Sequence, residues 1–314
     1  MNHAVGLFGK IPAAGDFVAQ GAGTPVAQAF QRWLLQENDA LAARQKALPP
    51  APIRFLFRDV HPTAAILGVL APSRDTVGRS FPLALWTTVE LSVAAPQFPY
   101  LPAAYALFLD GAATLLQQSH GLDVATLMQR LATLPHPSSD DLTEARAWTY
   151  EALDATPGRT ILEALFGPLQ HGIHFHGFHM FRTACQRVRD HDPGMATAFV
   201  ECPCADDLQL AFWLVLARNQ LRWMHAPPTL FWNDSANPDH RLILALGAPS
   251  PGSLQFVADP TARAERLWPT RTTSQASIAA GRDALSPAEL RSFDPPAPTA
   301  SSLLAALAVT DTAP

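Results

Sequence analysis

The chain of 314 residues has a formal net charge of −5, and 48% of its residues are hydrophobic. This composition provides ample apolar surface for a packed interior and excludes a largely disordered chain. The basic residues are scattered along the sequence, which also excludes nucleic acid and anionic membrane surfaces as expected partners.

Cysteine use and the apolar segments indicate the cellular compartment. Cys185, Cys202 and Cys204 form an odd set that is not typical of a secreted disulfide framework. The first residues lack a basic segment followed by an apolar run, and the most apolar stretch, 83–109, is interrupted by Glu90 and several prolines. We therefore expect a cytoplasmic protein without a signal peptide or a membrane-spanning helix.

The first part of the chain alternates strand and helix signals. Short apolar runs predict four strands, at 4–8, 53–57, 64–70 and 81–91. Apolar residues at helical spacing predict three helices, at 25–45, 101–118 and 124–134. A polar, proline-containing segment at 135–141 predicts the end of an N-terminal lobe, residues 1–135.

The remaining residues predict a second lobe, 136–258, and a tail. Its expected helices are 159–169 and 206–219, and its expected strands are 173–178, 197–202, 229–232 and 241–246. From about residue 259 the sequence is rich in Thr, Ser, Ala and Pro, which predicts a flexible, disordered tail over 259–314. The segment 301–309 is interpreted as a frayed end, or alternatively as a helix that forms on a partner. The expected fold class is α+β, a mixed, largely antiparallel sheet flanked by helices in two lobes.

The loop after the first predicted strand contains a Gly9–Lys10 pair and therefore invites comparison with a phosphate-binding loop. Such a loop needs an earlier glycine where Ala4 stands and a Ser or Thr where Ile11 stands. The spacing argues against a nucleotide site. Lys10 is instead expected to form an ion pair with Asp16 or to remain solvated.

A second polar loop, residues 72–82, joins two predicted strands and is longer than a simple hairpin turn. Ser73, Arg74, Asp75 and Arg79 are able to offer hydrogen bonds to a partner, since polar loops carry much of binding. The structural alternative is that Asp75 caps the turn and pairs with Arg79.

Histidines cluster at 171–179. On a strand, His174 and His176 would share one face and could bind one metal ion, with Cys202 and Cys204 as further ligands. The alternative function is thus a metal-binding protein or metal-dependent hydrolase. Against it, the Cys-X-Cys spacing is not that of a zinc knuckle, and the histidines are equally compatible with a strand of half-exposed imidazoles.

Catalytic signatures are not found in the sequence. There is no Gly-X-Ser-X-Gly nucleophile elbow. The acidic pairs Asp140–Asp141 and Asp206–Asp207 open predicted helices, where they complement the helix dipole. We expect no catalytic residue and no cofactor.

Two segments resemble the TagF family of bacterial type VI secretion. The first is Gly6-Leu7-Phe8-Gly9-Lys10-Ile11-Pro12 with Gly15-Asp16-Phe17-Val18, and the second runs from Gly68 to Leu83 and contains Pro-Ser-Arg-Asp-Thr-Val-Gly-Arg-Ser-Phe-Pro-Leu. Trp33 stands where the family keeps a helical tryptophan. The resemblance is strong over about the first 90 residues and looser to about residue 135.

The resemblance implies a non-enzymatic, post-translational repressor of type VI secretion that acts by protein–protein binding. The expected partner is the forkhead-associated scaffold protein of that apparatus, and no small-molecule substrate is expected. The residues expected to bind the partner are Lys10, Asp16, Phe17, Trp33, Ser73, Asp75, Gly78 and Arg79. Among them Phe17 is the expected apolar anchor, Asp75 and Arg79 the polar specifiers, and Trp33 a support from the adjoining core.

Overall fold

The structure is a computed structural model that describes residues 4–189, 198–221, 223, 226–233, 240–247 and 249–308. The described residues form nine strands: β1 (Val5–Gly9), β2 (Val18–Gln20), β3 (Ile53–Arg58), β4 (Ala64–Ala71), β5 (Leu83–Glu90), β6 (Ala198–Pro203), β7 (Thr229–Asn233), β8 (Arg241–Leu246) and β9 (Leu267–Pro269). They join in one sheet in the order β2-β1-β5-β4-β3-β7-β8-β6-β9.

The same residues form thirteen α-helices. These are α1 (Pro25–Ala43), α2 (Leu91–Gln97), α3 (Leu101–Ala104), α4 (Ala106–Gln118), α5 (Val124–Ala132), α6 (Ser139–Ala155), α7 (Gly158–Phe166), α8 (Ile173–Arg189), α9 (Asp207–Leu221), α10 (Gln255–Ala258), α11 (Gln275–Asp283), α12 (Pro287–Phe293) and α13 (Ala300–Ala306). Two short 3₁₀ turns lie at Ser119–Gly121 and Leu169–His171. None of the helices in the described ranges is both long and apolar enough to cross a membrane.

The α+β prediction and the largely antiparallel sheet are confirmed. Neighbouring strands are antiparallel except β6 and β9, which are parallel. Strand β3, from the first half of the chain, pairs with β7, from the second half, and aligns Ile53 with Asn233. The prediction of two separate lobes is not confirmed, because strands from both halves are hydrogen-bonded neighbours in a single sheet.

Helices cover both faces of the sheet, which explains why its central strands are apolar on both sides. On one face, Ile66 of β4 and Trp86 of β5 pack in the same cluster as α1 and α10. On the other face, Leu67 and Leu85 pack with α4, α8 and α9. The alternation along β4 and β5 therefore divides the core into two layers.

Helix α1 links the first and second halves of the chain. Thr24 caps its N-terminus by accepting the N–H of Ala27, and Pro25 occupies the first turn, where a missing N–H costs nothing. The buried Glu37 carboxylate accepts the backbone N–H groups of Gly252 and Leu254 at 2.6 Å each. Without these partners, a carboxylate buried at this depth would be strongly destabilising.

The predicted strand at 173–178 is wrong, because these residues begin helix α8. Gly172 adopts a left-handed conformation with φ of 68° that ends the preceding 3₁₀ turn. The side chains that α8 buries then recur at helical spacing, at His174, Phe178, Phe181 and Cys185 among others. The alternation of His and Phe imitates a strand over only six residues, whereas the helical period continues through the whole segment.

The predicted disordered tail is wrong for residues 259–308. Strand β9 extends the sheet, and α11, α12 and α13 follow it. Ser286 and Thr299 open α12 and α13 with capping boxes, and Leu303 and Leu304 are buried. These few large side chains pack against α6 and α7. The segment therefore folds onto the existing core and does not have to form a core of its own. Residues 309–314, the end of the predicted tail, lie outside the described residues.

Candidate functional site

The two polar loops singled out in the sequence lie side by side. Strand β1 pairs antiparallel with β5 and aligns Phe8 with Ala84. The C-terminal end of β1 and the N-terminal end of β5 therefore lie side by side. The loop after β1, residues 10–17, and the loop before β5, residues 73–79, therefore emerge together. Their backbones are joined directly by a hydrogen bond from Thr76 N to Ala14 O at 3.1 Å. We call them the paired loops.

Asp75 is the centre of the paired loops. Its Oδ2 lies 3.0 Å from Lys10 Nζ and 2.6 Å from Arg79 Nε. Its Oδ1 accepts the backbone N–H groups of Val77 at 3.1 Å and Arg79 at 2.8 Å. The structural alternative for this loop, a turn capped by Asp75 and paired with Arg79, is thus what the structure contains.

Lys10 pairs with Asp75 instead of Asp16, so the expected Lys10–Asp16 ion pair is wrong. Asp16 is exposed and accepts the N–H of its neighbour Phe17 at 2.8 Å. The Lys10 and Asp75 side chains are both buried. The ion pair therefore connects one loop to the other, and does not close a loop on itself.

Asp75 is held in its charged form. Burial alone would raise the pKa of the carboxyl, but hydrogen bonds from the Arg79 backbone N–H and from the Lys10 and Arg79 side chains outweigh burial and hold its pKa well below the usual range. A buried carboxylate that is ionised and saturated with donors cannot take up a proton near neutral pH. It is unsuited to general acid–base chemistry and well suited to fixing two loops.

Arg79 and Gly78 complete the turn. The Arg79 guanidinium also donates a hydrogen bond from Nη2 to Gly15 O in the other loop, while 56% of its side chain remains exposed. Gly78 has φ of 85°, in the left-handed region, and open space surrounds the position of a Cβ. A glycine is therefore favoured at position 78 by its backbone conformation and not by crowding.

Ser73 lies inside the base of the loop. Its carbonyl accepts the N–H of Phe81 at 3.1 Å. Its hydroxyl is buried, and no hydrogen-bond partner for it is found in the part of the chain that the structure describes. Ser73 thus helps to close the loop and does not present its hydroxyl to solvent.

The outward surface of the paired loops exposes two apolar side chains, Phe17 and Val77. Phe17 stacks on Phe8 with ring centroids 5.7 Å apart and meets the edge of Phe81 at 4.8 Å, yet 42% of it is exposed. The Lys10 ammonium lies 5.1 Å from the Phe17 ring centroid. Val77, at the tip of the second loop, is 70% exposed. Phe17 is therefore an aromatic side chain that is supported by its neighbours and remains partly exposed.

Val77 was not among the predicted site residues. The signal in the sequence is a single apolar residue within a polar loop, directly before the glycine of the turn. Such a residue cannot be buried by its own loop. Its exposure makes it a further candidate for partner contact.

Trp33 is not brought to this surface. It lies within the layer between α1 and the sheet, where it stacks on Phe231 at 5.5 Å and donates from Nε1 to Ser253 Oγ at 3.3 Å. It can affect the paired loops only through the core.

A groove of about 650 Å³ runs between the loop at 73–79 and the C-terminal end of α1, and Leu41, Leu48 and Phe81 are among its lining residues.

The residues proposed as alternative metal ligands are not assembled into a site. On helix α8, His174 and His176 are two positions apart and point to different sides. His176 Nε2 lies 3.2 Å from Pro269 O, and burial raises the pKa of the Cys202 and Cys204 thiols, so that metal-binding thiolates are disfavoured. Within the described ranges, no three His, Cys, Asp or Glu side chains come together to hold a metal ion.

Residues 6–134 match the sequence profile of the TagF N-terminal domain, which is described as type VI secretion system-associated. The chain carries a TagF N-terminal domain. This TagF domain contains β1 to β5 and both paired loops, and it ends before α6. The resemblance seen in the two polar motifs is therefore confirmed.

The chain is also similar to a solved structure, PA0076 from Pseudomonas aeruginosa PAO1. The two share 18% sequence identity with a TM-score of 0.49, over 83% of this chain and 96% of that chain. No curated protein matches the chain.

Proposed function

We propose that this protein is a non-enzymatic, post-translational repressor of bacterial type VI secretion that acts by binding another protein through its paired loops. The observation that carries the proposal is the cross-linking of these loops by Asp75 within a TagF domain, with Phe17 and Val77 directed outward. The expected partner is the forkhead-associated scaffold protein of the apparatus, bound in the cytoplasm.

The charges of the paired loops favour binding over catalysis. Lys10 and Arg79 are both committed to the Asp75 carboxylate, so neither is a free acid or base beside a nucleophile. Their interactions hold the loops in one arrangement before a partner arrives. Preorganisation of this kind strengthens binding, because less conformational entropy is lost on association.

The exposed groups are of the types that dominate protein interfaces. Aromatic and arginine side chains are enriched among residues whose truncation weakens binding most. Phe17 supplies a ring supported from behind by Phe8 and Phe81. Arg79 supplies a guanidinium that is held by Asp75 and by the Gly15 carbonyl, and its side chain is about half-exposed. Val77 adds apolar surface beside them.

The test is direct binding of the purified protein to the purified forkhead-associated scaffold by isothermal titration calorimetry. Val77→Asp places a charge at an exposed loop tip without disturbing the core, and we expect it to weaken binding at least about tenfold. Val60→Asp is the matched control, since Val60 is exposed in the turn between β3 and β4. That turn is at the opposite end of β4 from the paired loops.

The same variants are carried into cells that lack the gene. Deletion is expected to raise secretion, and the wild-type protein and Val60→Asp are expected to restore repression, whereas Val77→Asp is not. An unchanged affinity of Val77→Asp for the scaffold, together with full repression, would remove the paired loops from the mechanism.

A further inference from the structure

A second surface, made of residues other than those of the paired loops, exposes large apolar side chains. Leu107 on α4 is 70% exposed and Trp148 on α6 is 46% exposed. Both line a groove of about 470 Å³ between these helices. Because large apolar side chains are seldom left together in water without a purpose, this groove is a candidate for contact with another molecule.

The helices leave room in the groove. Asp141, Glu144, Ala145 and Trp148 lie at helical positions i, i+3, i+4 and i+7, and so form one face of α6. The other residues of α3 and α4 that line the groove beside Leu107 are small alanines: Ala103, Ala104 and Ala106. Small residues between two large exposed ones provide space for the side chains of an incoming helix.

The charge of the groove is acidic. Asp141, Glu144 and Asp207 line it, and no lysine or arginine is among its lining residues in the described chain. An adjoining hollow of about 390 Å³ shares Ala106 and Asp207 with the groove. This hollow adds carboxylates from Asp110 and Asp206 and a single guanidinium from Arg54, which pairs with Asp110 at 2.7 Å.

Part of this charge has a structural use. Asp141 belongs to the capping box of α6, and Asp206 accepts the N–H of Gln209 at the start of α9. These hydrogen bonds keep the carboxylates in place, and hydrogen bonding to Ser138 lowers the pKa of Asp141. Glu144 lies beyond the cap, one turn before Trp148 on the same face. The two hollows therefore present more negative than positive charge around an apolar centre.

We infer that this groove is a second docking surface, which binds a helix of a partner protein that carries large apolar residues on one face and lysine or arginine beside them. A helix laid in a groove between two helices would bury Leu107 and Trp148 against its apolar face. Its basic residues would face Glu144 and Asp207, and a lysine or arginine over the Trp148 ring would add a cation–π interaction. Charge complementarity selects a basic partner over an acidic one.

This surface is independent of the proposed repressor function. The TagF match ends at residue 134, before α6 and α9. The groove is therefore formed where the TagF domain meets the rest of the chain. A failure of the scaffold-binding experiment would leave this inference untouched, and the reverse also holds.

The test uses a fluorescein-labelled amphipathic peptide of about five helical turns, with leucine on one face and lysine beside it. Binding to the full-length protein is followed by fluorescence anisotropy. We expect binding that weakens as sodium chloride is raised from about 0.05 M to about 0.5 M, because exposed ion pairs are screened. A peptide in which glutamate replaces every lysine is expected not to bind.

Two substitutions test the groove, and two matched substitutions test the opposite face of the sheet. We expect Leu107→Ser and Glu144→Lys each to weaken binding of the basic peptide about tenfold or more. Leu35→Ser and Asp39→Lys make the same apolar-to-polar change and the same charge reversal at exposed positions of α1, and they are expected to leave binding unchanged. All four positions are exposed, so circular dichroism should show four folded proteins.

The inference is overturned if the basic peptide does not bind, if the acidic peptide binds equally well, or if the groove and α1 variants bind alike. Sedimentation of the protein alone tests whether a second copy of this chain, in place of a partner helix, covers the groove. A concentration-dependent dimer that Leu107→Ser abolishes would show that a second copy of this chain covers the groove, and the partner-helix assignment would be wrong.

Discussion

The paired loops and the start of helix α8 both concentrate charged or metal-binding residue types, but the structure uses them in opposite ways. In the paired loops, Lys10 and Arg79 both pair with the Asp75 carboxylate and hold a surface in place. In α8, His174 lies against Phe175 and Phe293 in the core. Burial there lowers the pKa of His174 to about 4, with a further contribution from the Arg282 charge, so the imidazole is neutral near pH 7.

The comparison shows that the number of reactive side chains in a segment is a poor guide to function. Burial of the imidazole in α8 favours its neutral form. The paired loops, fixed by one carboxylate, present the more usable surface. Four changes would sharpen or break this contrast, and they follow from the largest expected effect to the smallest.

The largest effect is expected from the buried face of α8. Phe181 is almost fully buried and stacks on Trp213 with ring centroids 5.1 Å apart. Replacing it with alanine should lower the free energy of unfolding by about 3–5 kcal/mol, because a cavity is left in the core. Urea denaturation measures the change. Exposed Leu35→Ala is the control, and equal stability of the two variants would contradict a core role for α8.

The second effect concerns acid sensitivity from His174. Its folded-state pKa of about 4 lies below the ordinary value near 6.5. The unfolded chain therefore binds a proton first, and stability that is fully present above about pH 6.5 is lost as the pH falls toward 4, by up to about 3 kcal/mol. His174→Gln should flatten the pH dependence in this window, as measured by urea denaturation at a series of pH values. The same replacement at the exposed His61 is the control for loss of a histidine, and an unchanged slope in His174→Gln would contradict the burial argument.

The third effect concerns Asp75 and appears at lower pH. Because its folded-state pKa is depressed, the stability it contributes is present above the ordinary pKa near 4 and is lost as the pH falls below that value. Asp75→Asn should remove this loss of stability at low pH. It should also leave the buried Lys10 ammonium without its counter-ion. At neutral pH the loops should then lose their fixed arrangement, and scaffold affinity should fall about tenfold.

Asp154→Asn is the control for the Asp75 variant, because Asp154 is exposed on α6, away from the paired loops. If Asp154→Asn weakened scaffold binding as much as Asp75→Asn, the loss of affinity would not come from the paired loops.

The smallest effect is expected from metal ions. The histidines of α8 diverge, and the thiols of Cys202 and Cys204 are buried and protonated. Zinc at a stoichiometric concentration is therefore expected to leave the thermal midpoint of the wild-type protein unchanged. A rise in the midpoint that His176→Ala abolishes would instead restore the metal-binding hypothesis.

Much of the fold could be predicted from the sequence where a segment buries residues with a regular period. The strands around Ile53, Ala64 and Leu83 and the helix from Pro25 were predicted within a few residues. The start of helix α6 was predicted at Asp140–Asp141, but its extent was not, because it buries only Leu142, Thr149 and Leu153 and is polar elsewhere.

Contacts between distant segments could not be predicted. The sequence places Lys10 near Asp16, and only the pairing of β1 with β5 brings Asp75 closer. Likewise, the helices after residue 267 are ordered because Leu303 and Leu304 find apolar partners made by earlier helices. The local composition of a segment does not reveal which distant residues will pack against it.

The most direct test of the central claim is hydrogen–deuterium exchange of the protein with and without the forkhead-associated scaffold. If the paired loops are the binding surface, amide protection on complex formation should increase at residues 10–17 and 73–79 and should disappear in Val77→Asp. Protection confined to other segments, with exchange in both loops unchanged by the scaffold, would contradict the account.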